Sequence, residues 1–312
     1  MFDIDPRKIS SEDFPKEKSI KEKLLFLLNY AVLAPSNLNS QPWKFSVKED
    51  SVEFLPDFDC WLKVSDPDKR ELFISVGCAL QNFIIAAEYF NLSCSVHYKK
   101  ETVDVTVSEL DTYSTSSLFP FITKRFTYLG DFKNEEVDRD IFNLYTSENH
   151  SLHFINEEET KSQLCLLSLE ADMFRYIHPK YKQELIDHLP PGKFENSLMR
   201  FINKFSQYIA NRELPQDLQK NIAAISIDSE TPISLIKVGQ AFENIYLHAF
   251  SKGIYIKPQS CTLETPMAKK RINELLLKNT NRKIVQIFFY GYPTNVDSHF
   301  TKRCSVKEKL VN

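Results

Sequence analysis

One apolar segment occurs twice in the chain at a spacing of 162 residues, and this repeat limits the possible folds more than any other feature of the sequence. The two copies are Val76-Gly-Cys-Ala-Leu-Gln-Asn-Phe-Ile-Ile-Ala-Ala87 and Val238-Gly-Gln-Ala-Phe-Glu-Asn-Ile-Tyr-Leu-His-Ala249. They share Val, Gly, Ala, Asn and the final Ala at equivalent positions. Both are apolar on almost every side, as a helix at the centre of a protein is. We therefore predict two related halves, each built around a buried helix, although chance similarity between two buried helices would give the same pattern.

Both copies contain small residues, Gly77 with Ala79 and Gly239 with Ala241, which would let the two helices approach closely. Periodicity and the positions of proline and glycine predict the remaining elements. These are a helix over Ser19–Ala34 that Pro35 ends, a hairpin of strands over Lys44–Val47 and Ser51–Leu55, an opening for the first central helix at Asp66–Arg70, a strand pair within Ser95–Val107, helices over Asp138–Tyr145 and Glu157–Tyr176, and a strand over Ile284–Tyr290. The fold class predicted from this map is α+β.

Charge and hydropathy exclude several classes of protein. The 312 residues carry a formal net charge of −3, so no excess of basic residues indicates nucleic-acid binding. Apolar runs such as Phe83-Ile-Ile-Ala-Ala87 are far too short to span a bilayer. The segment Met1–Lys8 has acidic residues where a signal peptide needs a basic and then an apolar stretch. We therefore expect a cytoplasmic protein that binds neither nucleic acid nor membranes.

The cysteines, histidines and glycines form no known metal or phosphate motif. Six cysteines, at 60, 78, 94, 165, 261 and 304, include no Cys-x-x-Cys pair, and the histidines include no His-Glu-x-x-His. We expect reduced, mostly buried thiols and no metal site. Six glycines form neither Gly-x-Gly-x-x-Gly nor a Walker loop. A bound phosphate would therefore be held by side chains and helix ends.

A charged segment from about Pro179 to Thr231 lies between parts that the two halves share. It contains a break at Leu189-Pro-Pro-Gly-Lys193 and an amphipathic stretch over Phe194–Ile209. Such a segment is typical of a surface helix pair or of a lid over a site. We refer to residues 179–231 as the insertion.

The stretch Ala34-Pro-Ser-Asn-Leu-Asn-Ser-Gln-Pro-Trp43 contains two prolines and several amides, which a plain connector between a helix and a strand does not need. A helix that ends in Ala-Pro-Ser, followed by Asn-x-Gln-Pro-Trp and a strand, resembles the FMN-dependent nitroreductase family. Chain length, the repeat and the C-terminal segment resemble the long single-chain branch of this family, in which two nitroreductase-like halves mimic the usual homodimer. The resemblance covers most of the chain and is clearest over residues 24–96 and 235–310.

This resemblance implies a nitroreductase-like α+β fold with two tandem halves. Residues 1–120 would form the first half, and residues 121–312 would form the second half with the lid-like insertion. The halves would supply each other's partner surface, so the family pattern implies a monomer. FMN would lie in the groove between them.

The family pattern also implies which residues contact the flavin ring. Prolines would hold the loop rigid, and its amides can meet the polar edge of the ring. The loop residues are Pro35, Ser36, Asn37, Asn39 and Gln41. Gln259, Ser260 and Cys261 correspond to the loop that passes the ring atom N5. Among all of these, Asn39 is the residue we expect to contact the ring.

The phosphate of FMN would be bound by basic residues of the second half. Arg125 and Thr127 match the first Arg and the Ser of the family's Arg-x-Ser-x-Arg segment, whose last Arg is replaced by Leu129. Lys302 and Arg303 lie in a C-terminal segment that resembles the one whose basic residue reaches the phosphate, and they could supply the charge that Leu129 lacks. Arginine suits this role because its guanidinium binds phosphate through two hydrogen bonds.

The resemblance implies an oxidoreductase in which NAD(P)H reduces FMN and a small electron-poor acceptor, such as a nitroaromatic or a quinone, is then reduced. The flavin carries this chemistry, so no catalytic residue is predicted. Two alternatives remain open: a non-catalytic flavin-binding or storage protein whose insertion excludes nicotinamide, and a flavin-free scaffold of the same fold, which Leu129 favours. A thiol enzyme using Cys78 or Cys261 is a further, weaker alternative.

Overall fold

The computed structural model of the protein describes residues 5–110, 116–145, 147–211, 221–278, 280–296 and 300–311. The first half contains α1 (Ile20–Ala31), β1 (Trp43–Val47), β2 (Ser51–Pro56), α2 (Arg70–Tyr89), β3 (Leu92–Tyr98) and β4 (Val103–Glu109). A short helix, α3 (Phe119–Ile122), leads into the second half. There follow β5 (Ser151–Ile155), α4 (Glu158–Ile177), α5 (Pro179–His188), α6 (Lys193–Asn211), β6 (Asn221–Ile227), α7 (Pro232–Ser251), β7 (Tyr255–Pro258), α8 (Pro266–Leu276), β8 (Lys283–Gly291) and α9 (Val306–Lys309).

The described strands form two antiparallel sheets with the same strand order. The first sheet has the order β1-β2-β4-β3, and the second has the order β5-β6-β8-β7. In each sheet, the second and third strands in chain order flank the long helix, which is α2 in the first half and α7 in the second. This arrangement confirms the α+β class and its organisation as two halves.

The two long helices are equivalent in position and pack against each other. Both contain 20 residues, and α7 starts and ends 162 residues after α2, as the sequence repeat requires. Gly77 of α2 and Gly239 of α7 lie at their crossing, with Cα atoms so close that a Cβ on either would lie 2.9 Å from the Cα of the other. The Cys78 thiol donates to the Gly239 carbonyl across the contact at 3.3 Å. The predicted close approach through small residues is confirmed.

Helix α2 is long and apolar enough to cross a membrane when judged by length and composition alone. Within the described residues it is the one helix that meets this criterion, and 78% of its apolar window is buried inside the protein. Its apolar residues pack on α7 and on the first sheet, so a core helix accounts for the composition.

Helix α1 ends earlier than the sequence predicts, whereas α2 starts within the predicted opening segment Asp66–Arg70. Helix α1 starts with a capping box between Ser19 and Glu22, but it ends at Ala31 rather than at Pro35. Tight turns replace its last predicted turn, because Leu33 and Ala34 donate to carbonyls only three residues back. Helix α2 starts at Arg70, after Pro67, and the Asp66 carboxylate accepts hydrogen bonds from the backbone of its first turn.

Part of the insertion belongs to the second sheet and is not an added segment. It contains α5 and α6, as the amphipathic pattern predicted, but it also contains β6, which pairs with both β5 and β8. The predicted end of the insertion at Thr231 was therefore too late, since residues 221–227 belong to the sheet. Residues 212–220 of the insertion lie outside the described residues. The segment predicted as helical over 138–145 forms a 3-10 helix over Asp140–Tyr145.

Candidate functional site

A cavity of about 1140 Å³ lies between the two halves. Its volume suits a cofactor-sized ligand. The first half contributes the loop Pro35–Leu38 and one face of α2, and the second half contributes residues 127, 129–132 and 257–261. Helices α4 and α6 complete the wall, so α6 of the insertion lines the cavity. Its role as a lid stays a prediction.

Seven of the twelve residues predicted to bind FMN line this cavity. They are Pro35, Ser36, Asn37, Thr127, Gln259, Ser260 and Cys261. The other five, Asn39, Gln41, Arg125, Lys302 and Arg303, are not part of the cavity wall. The two loops predicted to meet across the flavin ring therefore do come together, while the basic residues predicted to bind the phosphate, Arg125, Lys302 and Arg303, are not on the cavity wall.

The loop that follows α1 is held in an uncommon backbone conformation. Leu38, Asn39 and Gln41 have φ angles of 49°, 56° and 50°. Left-handed conformations of residues other than glycine cost free energy and persist where the surroundings fix them. Here the Ser36 hydroxyl accepts a hydrogen bond from the Gln41 amide N–H at 2.9 Å. The loop is thus a fixed feature of the cavity wall, consistent with the rigidity expected from its prolines.

The side chains of Asn39 and Gln41 anchor the C-terminal segment. Asn39 Nδ2 donates to the Lys302 carbonyl at 2.9 Å, and Asn39 Oδ1 accepts from Arg303 Nη1 at 2.5 Å. The Cys304 amide N–H donates to Gln41 Oε1 at 2.8 Å. The Asn39 amide therefore points away from the cavity, contrary to the expected ring contact. The loop amide on the cavity wall is that of Asn37, with Nδ2 3.5 Å from Glu264 Oε1.

Removal of the Asn39 amide is expected to loosen the C-terminal segment. Asn39→Gly deletes both hydrogen bonds but keeps a residue that accepts a positive φ. We expect the free energy of unfolding to fall by about 1–3 kcal/mol, because the buried Arg303 guanidinium loses its Asn39 acceptor and the more exposed Lys302 carbonyl loses its donor. Urea denaturation measures this loss, and limited proteolysis reports exposure of residues 300–311. Asn39→Asp keeps the acceptor for Arg303 and should lose less; equal stability of Asn39→Gly and the parent would contradict the assignment.

Behind the loop, Arg7, Arg125 and Arg303 form a cluster that we call the arginine cluster. Arg125 is only 1% exposed; its Nη2 donates to the Leu33 carbonyl at 2.7 Å, and its Nε lies 3.4 Å from Glu243 Oε1. Arg303 Nη2 donates to the same Leu33 carbonyl at 3.4 Å. Arg7 Nη1 donates to the carbonyls of Thr123 and Arg125. The three guanidinium groups therefore converge where α1 passes into the loop.

The arginine cluster is short of negative charge. Burial, with the charges of Arg125 and Arg7, lowers the pKa of Arg303 to about 9. Burial and Arg125 also lower the pKa of Arg7 to about 10. Glu243 is the carboxylate paired with Arg125, and within the described residues Arg125 Nη1, Arg303 Nε and Arg7 Nε are buried without a hydrogen-bond partner. Such a set of cations fits a phosphate-sized anion.

A second charged group lies on the cavity wall itself. Arg175 Nε pairs with Glu264 Oε2 at 3.1 Å, and Arg175 Nη1 lies 3.6 Å from Asp172 Oδ1.

Burial raises the pKa of the Cys261 thiol well above its ordinary value, and the neighbouring Asp172 raises it further. Burial likewise raises the pKa of Cys78. Because a nucleophilic cysteine needs its thiolate, neither residue is suited to thiol catalysis.

Sequence reasoning missed several residues of the site. Arg7 has no motif, and Asp172 and Arg175 lie on α4 without a recognisable spacing. The cavity-facing residues of α6 carry a signal that was available, because its polar residues recur every three to four positions: Lys193, Ser197, Arg200, Lys204 and Gln207. Within the described part of the chain, no group of three or more His, Cys, Asp or Glu residues could hold a metal ion.

Two curated proteins from strains of Mycobacterium tuberculosis, each named "Putative NAD(P)H nitroreductase", are similar to this chain in sequence. Each is 38% identical over 73 residues, which is 23% of this chain. The match spans only 20% of the length of these relatives. It confirms the resemblance to the nitroreductase family. No protein-family model matches the chain.

Solved structures similar to this chain include nitroreductases with low sequence identity. A nitroreductase with bound FMN from Desulfitobacterium hafniense is 12% identical, with a TM-score of 0.42 over 62% of this chain and 97% of that one. A nitroreductase-like family protein from Bacillus cereus is 14% identical, with a TM-score of 0.40 over 64% of this chain and 98% of that one.

Proposed function

We propose that this protein is an FMN-binding oxidoreductase of the nitroreductase type that uses NAD(P)H to reduce nitroaromatic or quinone-like acceptors. The observation that carries the proposal is the cavity between the halves, lined by both loops that the family resemblance assigns to the flavin ring. The arginine cluster behind one of these loops offers the positive charge that a flavin phosphate needs. Its components come from three parts of the chain: the N-terminal segment, residue 125 and the C-terminal segment.

The residues present fit FMN. Arg7, Arg125 and Arg303 would hold the phosphate, which would satisfy buried N–H groups that lack partners in the described structure. Asn37, Thr127 and residues 259–261 would face the ring. Bound FMN supplies the hydride-accepting centre.

The protein's own residues position ligands and shield them from water. The strained loop and residues 259–261 form fixed opposing walls, and α6 covers the space between them. Asp172 is an acidic group on the wall, and burial raises the pKa of its carboxyl. The flavin reaction itself requires no protein acid.

Purification should yield a yellow protein, or a colourless one that binds added FMN. The measurement is a visible spectrum followed by anaerobic titration with NADPH, which should bleach the flavin absorbance. Addition of a nitroaromatic or a quinone should restore it. Bound flavin that NADPH cannot reduce would favour storage, the main alternative, and absence of FMN binding would favour a flavin-free scaffold.

Three further properties form part of this proposal. The equal strand order of the two sheets and the exact offset of α2 and α7 support an origin by internal duplication, with halves at 1–120 and 121–312. Since the halves already pack on each other, the protein would be a monomer. We also propose a cytoplasmic location, on the basis of the sequence alone.

A further inference from the structure

We propose that the cavity-facing side of α6 binds the phosphate groups of the nicotinamide dinucleotide and makes the protein selective for NADPH over NADH. The residues that would provide this selectivity are Lys193, Arg200 and Lys204. The inference rests on the proposed function, because it requires a dinucleotide that enters the cavity. It adds to that function the identity of the hydride donor, NADPH, and the protein surface that recognises it.

The orientation of α6 is the first observation. Lys193, Ser197, Arg200, Lys204 and Gln207 all line the cavity, and spacings of three and four residues place them on one face of the helix. A neighbouring face packs on α4, where the rings of Phe194 and Phe201 lie 5.9 and 5.2 Å from that of Tyr176. The helix is therefore held by its aromatic side and turns a basic, polar side towards the ligand space.

The length of the basic face is the second observation. From Lys193 to Lys204 the helix rises by about 16 Å, at 1.5 Å per residue. A single carboxylate on a small aromatic acceptor would meet one of these side chains at a time. A row of cations of this length instead matches a ligand with several separated negative charges, as a dinucleotide with an added 2′-phosphate has.

The balance of charge in the cavity is the third observation. Among the described residues of its wall, five are basic and three are acidic: Arg175, Lys193, Arg200, Lys204 and Lys257, against Glu71, Asp131 and Asp172. Glu71 is already paired with Arg70, and Arg175 is paired with Glu264; neither of these partners lines the cavity. Four basic and two acidic residues remain. Lys204 and Lys257 lie close enough to Asp172 to oppose the rise in its pKa that burial causes. The ligand space is therefore net positive.

Exposure distinguishes this face from the arginine cluster. Arg125 and Arg303 are 1% and 8% exposed, whereas Lys193 and Arg200 are exposed and Lys204 is half-buried. Buried, fixed cations suit a phosphate that stays bound. Exposed or half-buried cations on the covering helix suit a ligand that enters and leaves in each cycle, because water competes for them and weakens each charge–charge contact. We therefore assign α6 to the exchanging dinucleotide rather than to FMN.

The test compares binding of NADP⁺ and NAD⁺, which differ by the 2′-phosphate, by titration calorimetry at low and high salt. The parent should bind NADP⁺ more tightly, and salt should weaken this preference. In Arg200→Gln/Lys204→Gln, NADP⁺ affinity should fall by about tenfold or more, as loss of charge-assisted hydrogen bonds predicts. NAD⁺ affinity should fall less, so the ratio of the two affinities should decrease.

Lys180→Gln/Lys182→Gln on α5 is the matched control, because it removes two charges from exposed residues of the same insertion that do not line the cavity. It should leave the affinity ratio unchanged. The proposal is overturned if the parent does not prefer NADP⁺, if the α6 variant keeps the parent ratio, or if the control lowers the ratio equally. Far-UV circular dichroism and the melting temperature establish that each variant is folded.

This experiment is independent of turnover. Equilibrium binding is measured with FMN present and with FMN absent, so a protein that binds NADP⁺ selectively but reduces no acceptor would retain this inference while losing the proposed reaction. Conversely, a protein that binds FMN and oxidises NADH and NADPH equally well would retain the proposed reaction while losing this inference.

Discussion

Gly239→Ala is expected to destabilise the protein by about 3 kcal/mol or more, at the upper end of the cost of overpacking a core. A Cβ at this position would lie 2.0 Å from the Ile74 carbonyl oxygen and 2.9 Å from the Gly77 Cα. These are backbone atoms, so no side-chain rotation relieves the contact. The helices must separate, and the residues packed along their interface lose contact. Chemical denaturation measures the loss in the free energy of unfolding.

Gly77→Ala should behave in the same way, since its Cβ would lie 2.0 Å from the Ile236 carbonyl oxygen. Helix propensity alone predicts the opposite sign, because Ala is favoured over Gly inside a helix by about 1 kcal/mol. Gly192→Ala is the comparison variant: a Cβ there meets no atom within 4 Å, although its φ of 77° makes Ala cost about 1–2 kcal/mol. Stabilisation by either helix substitution would show that the two helices are not in close contact.

The same substitutions should also disturb the candidate site. Ile74, Ser75 and Cys78 of α2 line the cavity together with Phe242 of α7. Separation of the two helices shifts this part of the wall. If the protein binds FMN as proposed, both helix variants should bind it more weakly than the Gly192 variant.

The parts of the fold that the sequence predicted well have strong local signals. The two long helices are apolar over most of their length and carry matching glycines, and the hairpin of β1 and β2 largely alternates between buried and half-buried residues. Element ends were predicted less well because tertiary contacts decide them. Helix α1 stops before Pro35, and this leaves the Leu33 carbonyl outside the helix, where Arg125 and Arg303 donate to it. No local pattern contains that information.

Strand β6 shows a different limit of sequence reasoning. Its residues Ile222–Ile227 are all buried, so the segment is apolar except at Ser226 and shows no alternation between apolar and polar residues. Such a run resembles a buried helix segment as much as a strand, and it follows a charged, amphipathic region. The sequence therefore predicts that it belongs to the insertion, although it pairs with strands on both sides.

The candidate site was predictable to the extent that motifs mark it. The loop from Pro35 and residues 259–261 were found because the family resemblance names them, and they meet across the cavity. Arg7 could not be found in this way, because its role depends on how the N-terminal segment folds against residues 123–125 and on its place over the Phe300 ring. Whether these residues bind FMN remains a prediction.

Arg125→Met is expected to have two large effects, one on stability and one on flavin binding. Glu243 is 0% exposed and pairs with Arg125, whose guanidinium also lies 4.8 Å from the centre of the Tyr246 ring. Removal of one partner leaves a buried charge without compensation, which costs about 3–5 kcal/mol. Methionine fills much of the space of the arginine side chain, so the loss reports mainly the missing charge.

The stability of this variant should depend on pH in a defined direction. Burial raises the pKa of Glu243, and Arg125 opposes that rise. Without Arg125 the pKa of Glu243 in the folded state rises further. In the unfolded state the same carboxyl has the ordinary glutamate pKa of about 4.3, so above that pH the folded state holds a proton that the unfolded state has released. The variant should therefore be most stable at low pH and should lose stability as pH rises towards the folded-state pKa of Glu243. Urea denaturation at pH 5 and pH 8 measures the difference.

Combining Arg125→Met with Glu243→Gln distinguishes the role of Arg125 in the buried ion pair from its proposed role in binding the FMN phosphate. The double variant Arg125→Met/Glu243→Gln removes both charges, so it should recover part of the stability and lose the added pH dependence. The double variant should still bind FMN more weakly than the parent, by about 2 kcal/mol or roughly thirtyfold in Kd. The reason is that the guanidinium proposed to bind the phosphate is still absent. Riboflavin, which lacks the phosphate, is the control ligand and should bind the parent and the double variant equally. Equal FMN affinity in the parent and the double variant would limit Arg125 to a structural role beneath the loop.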